Sequence, residues 1–82
     1  MEADRRSEAQ QHLLAFGQRV RSLRIERGLS QERLAHEVGV HRAVIGFIER
    51  GERDIGISHL WPLASALQLQ VPDLFEVPQP HQ

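Results

Sequence analysis

Gly28-Leu29-Ser30-Gln31-Glu32-Arg33-Leu34-Ala35-His36-Glu37-Val38-Gly39-Val40-His41-Arg42-Ala43-Val44-Ile45-Gly46-Phe47-Ile48-Glu49-Arg50-Gly51 is the stretch that decides the architecture. Ser30 is a good N-cap, and Glu32 in the first turn suits the positive end of a helix dipole. Leu34, Ala35 and Val38 supply a buried stripe, and Gly39 stops the helix. A second helix covers about His41 to Arg50, with Val44, Ile45 and Ile48 on one side, and Gly51 closes it. Two short helices joined by a tight Gly39-Val40 turn follow. Ala35 is small enough to let the axes approach at their crossing, and Val40 plugs the corner.

The flanks extend the same pattern. Leu13, Phe16, Val20 and Leu23 recur at spacings of three and four, which places them on one face of a preceding helix that runs to Arg27. Gly28 can adopt the left-handed conformation that ends it. Beyond the polar loop Glu52–Ile57, Ser58 is expected to cap a fourth helix carrying Leu60, Leu63, Ala64 and Leu67. Pro62 falls in its first turn, where a missing N–H costs least. Val71-Pro72-Asp73-Leu74-Phe75 reads as a last short helix. No alternating segment is long enough for a strand, so the class is all-α, a compact bundle of five helices.

At 82 residues there is room for one small domain and no second core. The expected division is a polar N-terminal arm or helix extension over 1–11, a domain over 12–76 and a tail over 77–82, where Pro78 and Pro80 prevent helix. With no cysteine, disulfides, thiol nucleophiles and cysteine-ligated metals are excluded. No run approaches the roughly 20 apolar residues of a membrane helix, and Leu13–Phe16 is too short for a signal-peptide core, so a cytoplasmic protein is expected. Net charge is −1, with all ten basic residues arginine. The charge is uneven. Residues 17–57 hold eight arginines and six acids, whereas 58–82 hold two acids and no arginine. A basic middle suits a polyanion, and the acidic end suits something else.

The two central helices and their tight turn have the geometry of a helix-turn-helix, in which the second helix is offered to a DNA major groove. The motifs go further. Ser30-Gln31-Glu32-x-Leu34-Ala35, Gly39-Val40 and Ile45-x-x-Ile48-Glu49-Arg50-Gly51, with Arg21-x-x-Arg24 upstream and Leu63-Ala64-x-Ala66-Leu67 and Asp73-Leu74-Phe75 downstream, resemble the Cro and phage-repressor type of DNA-binding domain, the xenobiotic-response-element family. The resemblance runs from about Phe16 to Phe75. It implies the lambda-repressor-like fold and a sequence-specific regulator of transcription. The short size and the loop around Arg53–Ile57 further resemble restriction–modification controller proteins, dimeric members of that group.

At about 100° per residue, the arc opposite Val44, Ile45 and Ile48 holds Arg42, Ala43, Gly46, Phe47 and Arg50. The resemblance independently implies base reading by Arg42, Ala43 and Phe47. Arg42 can fork onto guanine O6 and N7, and Ala43 and Gly46 let the backbone come close to the bases. Ser30 and Gln31 open the first of the two helices, whose unpaired N–H groups suit a phosphate. In relatives the residue at Gln31 also braces the recognition helix. Arg50 and Arg53 are further phosphate candidates. His41 stands where a Ser or Thr cap is usual. A nearby phosphate would favour its cation, so binding is expected to tighten below neutral pH. Phe47 either presses on a thymine methyl or folds back over Val44. Arg24 and Glu49 match a buried ion pair of the family.

Glu32 and His36 share a helix face, but a lone pair at that spacing does not make a metal site, and no constellation supports catalysis. A non-enzyme without cofactor or metal is expected. The expected partner is double-stranded operator DNA, bound by a homodimer whose recognition helices lie roughly 34 Å apart on an inverted repeat. Trp61, Leu74 and Phe75 are the candidate dimer surface. RNA polymerase is a further candidate partner. The alternative is an antitoxin, or another protein-interaction module, that uses the same fold to bind a toxin.

Overall fold

The computed structural model describes residues 2–75, with side chains from residue 7 onward. The chain forms α1 (Glu2–Glu26), α2 (Gln31–Val38), α3 (Arg42–Glu49) and α4 (Leu60–Ala66), with 3₁₀ turns at Ile57–His59 and Val71–Leu74. Among the described residues there is no strand, and the class is all-α. None of these helices is long and apolar enough to cross a membrane. The helix begins at Glu2, inside the segment read as arm or extension. The tail over 77–82 lies outside the described residues.

Each boundary has a local cause. Ser30 Oγ accepts the Arg33 N–H at 3.0 Å, which caps α2. Gly39 ends α2 with φ +90°, a left-handed conformation that a side chain would strain, and its N–H returns to the Ala35 carbonyl at 2.8 Å. The fourth helix starts later than expected. Ser58 belongs to the preceding 3₁₀ turn, and α4 begins at Leu60 with Pro62 in its first turn, where no intrahelical bond is lost. The expected fifth helix is only a 3₁₀ turn. Pro72 removes a donor there, and Asp73 accepts the Gln70 N–H at 3.1 Å, which closes the turn early.

The core is built from Val20 and Leu23 of α1, Leu34, Ala35 and Val38 of α2, Ile45 of α3, Leu63 and Ala64 of α4, and Leu67 and Leu74 after it. Fully burying a side chain of this size contributes about 1.5–3 kcal/mol. Leu74 is completely buried, so it belongs to this core and not to an exposed subunit surface. Two arginines of α1 fasten the C-terminal elements. Arg27 Nε donates to the Leu67 carbonyl at the end of α4, one of the orphan acceptors of a helix terminus. Arg19 donates to the Asp73 carbonyl at 3.1 Å from Nη2 and 3.4 Å from Nε.

Candidate nucleic-acid interface

α3 is held from behind by a network that begins with Glu49. Its carboxylate accepts from Arg24 Nε at 2.6 Å and from Arg24 Nη2 at 3.1 Å, a fork that ties α1 to α3. Gln31 Nε2 donates to the same carboxylate at 3.0 Å, and Arg24 Nη1 donates to the Leu29 carbonyl at 2.8 Å. The Glu49 side chain is only 3% exposed and that of Arg24 12%, so these bonds act where water screens little. Three elements therefore meet on one carboxylate, and the start of α2 is fixed relative to α3.

A closer contact lies beside that network. A Cβ on Gly17 would fall 2.7 Å from the Glu49 carbonyl oxygen and closer still to that of Ile48. Only glycine lets α1 press against the last turn of α3. Gln10 Nε2 adds a bond to the Gly51 carbonyl at 3.1 Å.

The opposite face of α3 is open. Arg42, Ala43, Phe47 and Arg50 are exposed, while Ile45, Ile48 and Glu49 are buried and Val44 is half-buried. Gly46 is the exception among the residues expected to approach bases. It points outward but is buried, because the Arg50 side chain lies across it. His41 caps α3 through Nδ1, which accepts the Ala43 N–H at 3.0 Å. That bond occupies a lone pair of a ring nitrogen. Phe47 carries the Arg50 guanidinium against its ring, 5.2 Å from the centroid.

The remaining expected positions divide. Ser30 is occupied as the α2 cap, a positioning role. Gln31 is half-buried and braces Glu49, and the first N–H groups of α2 have no partner within the helix. Arg53 is exposed on the loop after α3. Arg50 Nε donates to Glu52 at 3.2 Å. Trp61 and Phe75 are exposed, and Phe75 packs on Phe16 with ring centroids 5.2 Å apart.

In the sequence Arg21 reads as part of a motif, but its place at the site is not legible there. Arg21 is exposed and joins Gln18, Gln31 and Arg50 around a cleft of about 590 Å³ between α1, the start of α2 and the end of α3. Its place one turn before Arg24 was the available signal. Arg19, Arg24 and Arg27, counted in the basic middle, bond to the protein's own oxygens. Among the described residues, the positive charge left for a partner rests on the exposed Arg21, Arg33, Arg42, Arg50 and Arg53, of which Arg33 also pairs with Glu37 at 2.8 Å and Arg50 with Glu52 at 3.2 Å.

Comparison with known proteins agrees with this geometry. A helix-turn-helix family model matches residues 20–74. The chain is 41% identical over 64 residues to control protein C.BamHI of Bacillus amyloliquefaciens, covering 77% of this chain and 79% of that one. It is 49% identical over 59 residues to control protein C.SmaI of Serratia marcescens, covering 72% and 70%. Its fold matches the crystal structure of the restriction–modification controller protein C.AhdI from Aeromonas hydrophila with a TM-score of 0.75 at 44% identity, over 77% of this chain and 96% of that one. The chain belongs to the helix-turn-helix family, in the Cro and phage-repressor branch to which its motifs point.

Proposed function

We propose that this protein is a sequence-specific DNA-binding regulator of transcription, of the restriction–modification controller kind, that binds an inverted repeat as a homodimer with α3 in the major groove. The observation that carries the reading is the asymmetry of α3. One face is locked to α1 and α2 by Arg24, Glu49 and Gln31, while the face of Arg42, Ala43, Phe47 and Arg50 stands open. A groove-reading helix needs this combination, because rigid support keeps its side chains in register with base edges. Arg42 is the leading base reader. Phosphates are taken by the α2 N-terminus, Arg21 and Arg53. The similarity to proteins named as control proteins supports a regulatory role over an enzymatic one.

The dimer reading rests on exposed apolar side chains outside α3. Ile57, Trp61 and Phe75 are 72%, 60% and 55% exposed. Ile57 and Phe75 border an apolar groove of about 710 Å³ together with Leu13, Phe16 and Leu60. A second copy covering this surface would enlarge the small core of a short chain. A cytoplasmic location follows from this role.

Selection of bound duplexes from a random pool tests the whole reading. The expected product is an inverted repeat whose half-sites lie about one helical turn apart. A pool that yields no enriched sequence refutes DNA reading, and enriched single half-sites refute the dimer.

A further inference from the structure

The middle of the open face of α3 is filled by an arginine that starts from the helix end. Arg50 is the C-terminal cap of α3. Its side chain turns back along the helix, and its Nη1 lies 3.1 Å from the point where a Cβ on Gly46 would stand. A Cβ at 46 would press on the guanidinium and make it give by a few tenths of an ångström. The guanidinium carbon is 5.2 Å from the centroid of the Phe47 ring, within cation–π range. Glu52 accepts from Nε at 3.2 Å, which engages one edge of the fork and leaves the end-on pair of Nη groups to other acceptors. At about 100° per residue, Gly46 and Arg50 fall at the centre of the arc that runs from Arg42 to Phe47. A phosphate-binding arginine belongs at the rim of such a face, whereas this one is delivered to its centre.

We propose that Phe47 and Arg50 form one reading unit for a thymine and a guanine in adjacent base pairs. This deepens the proposed function and rests on its reading that α3 enters the major groove. The paired Nη groups of Arg50 bond guanine O6 and N7, the base edge that offers two acceptors to a fork. Phe47, 39% exposed, covers the thymine methyl, the apolar group of the major groove. The spacing suits neighbouring bases. Successive base pairs rise about 3.4 Å and also rotate, so groups roughly 5 Å apart address adjacent pairs and not a single one. The ring thus does two things at once. It restrains the guanidinium, which lowers the entropy lost on binding, and it offers an apolar surface beside it.

The test uses the duplex enriched by selection and two chemically edited versions. In one, deoxyuridine replaces the thymine and removes only the methyl. In the other, 7-deazaguanine replaces the guanine and removes only N7. Each edit is expected to weaken the parent protein by roughly fivefold or more. Lysine could still reach both guanine acceptors, so both side chains are truncated to alanine. Deoxyuridine should leave the affinity of Phe47→Ala unchanged, and 7-deazaguanine that of Arg50→Ala. Melting curves establish that both variants are folded, and the parent's response to the edited duplexes stands without them. If the enriched duplex lacks adjacent thymine and guanine, or the parent binds both edited duplexes as tightly as the original, the reading unit is wrong while DNA binding stands. If no duplex is enriched, DNA reading and this inference fall together.

Discussion

Glu49 is a buried acid whose carboxylate bonds both Arg24 of α1 and Gln31 of α2, and its removal should therefore be felt across three helices. In Glu49→Ala the Arg24 guanidinium keeps its burial and loses its carboxylate. Breaking a buried pair from one side costs about 3–5 kcal/mol, mainly through the uncompensated charge. A domain this small shifts its melting temperature by about 4–8 °C per kcal/mol, so a fall of more than about 12 °C is expected. Thermal melting followed by circular dichroism measures it, and an unchanged midpoint would show that the pair is not structural. His41 poses a finer question. Its Nδ1 accepts the Ala43 N–H, so its local role is that of a cap acceptor. His41→Asn retains an acceptor at a position where asparagine is favoured and should melt with the parent. His41→Ala removes the acceptor and should lose about 1 kcal/mol in urea unfolding. Equal stability of the two variants would mean that the cap contributes nothing.

At the scale of elements, the position of α3 depends on how closely α1 can lie beneath it. Gly17→Ala places a methyl 2.7 Å from the Glu49 carbonyl, closer than any real contact, so the helices must part. Overpacking of this kind costs about 1–3 kcal/mol. Parting also stretches the Arg24–Glu49 fork, so DNA affinity should fall together with stability. Gln18→Ala, on the exposed neighbour, should change stability by less than about 0.5 kcal/mol. A stable Gly17→Ala variant with full affinity would overturn this account. The contrast shows what a sequence can and cannot disclose. The stripes of Val20 and Leu23, of Leu34 and Val38, and of Ile45 and Ile48 are periodic, so each helix and its inner face are legible. The α2 caps at Ser30 and Gly39 are legible because their chemistry is local. Gly17 acts through a backbone far along the chain, and no local pattern reveals that. Arg19 and Arg27 look like surface charge until the fold brings the Asp73 and Leu67 carbonyls within reach. Leu74 looks like spare apolar surface until the last 3₁₀ turn folds it into the core. The open arc of α3 is legible from helical phase, but Arg50 lying across Gly46 is not, because it depends on the rotamer of a long side chain.

The whole molecule has a small core and an uneven surface, and the two facts bear on each other. The chain carries a net charge of −1, so attraction to DNA depends on which arginines face outward and not on overall charge. The outward set lies on and beside α2 and α3, whereas the apolar groove bordered by Ile57 and Phe75 is lined by no α3 residue, and Trp61 is exposed on α4. A dimer built on that apolar surface would double the phosphate contacts without adding a charge to either subunit. Counterion release makes the logarithm of affinity fall with the logarithm of salt by about 0.9 per phosphate contacted. Trp61→Glu places a charge in the proposed interface without touching α3. The variant is expected to sediment as a monomer with a parent-like melting transition, because Trp61 is exposed on the single subunit. Its salt slope on an enriched duplex should be about half the parent's, since one subunit contacts half the phosphates. A variant that still sediments as a dimer would place the subunit contact elsewhere, and a monomer that keeps the full slope would separate DNA binding from dimerisation.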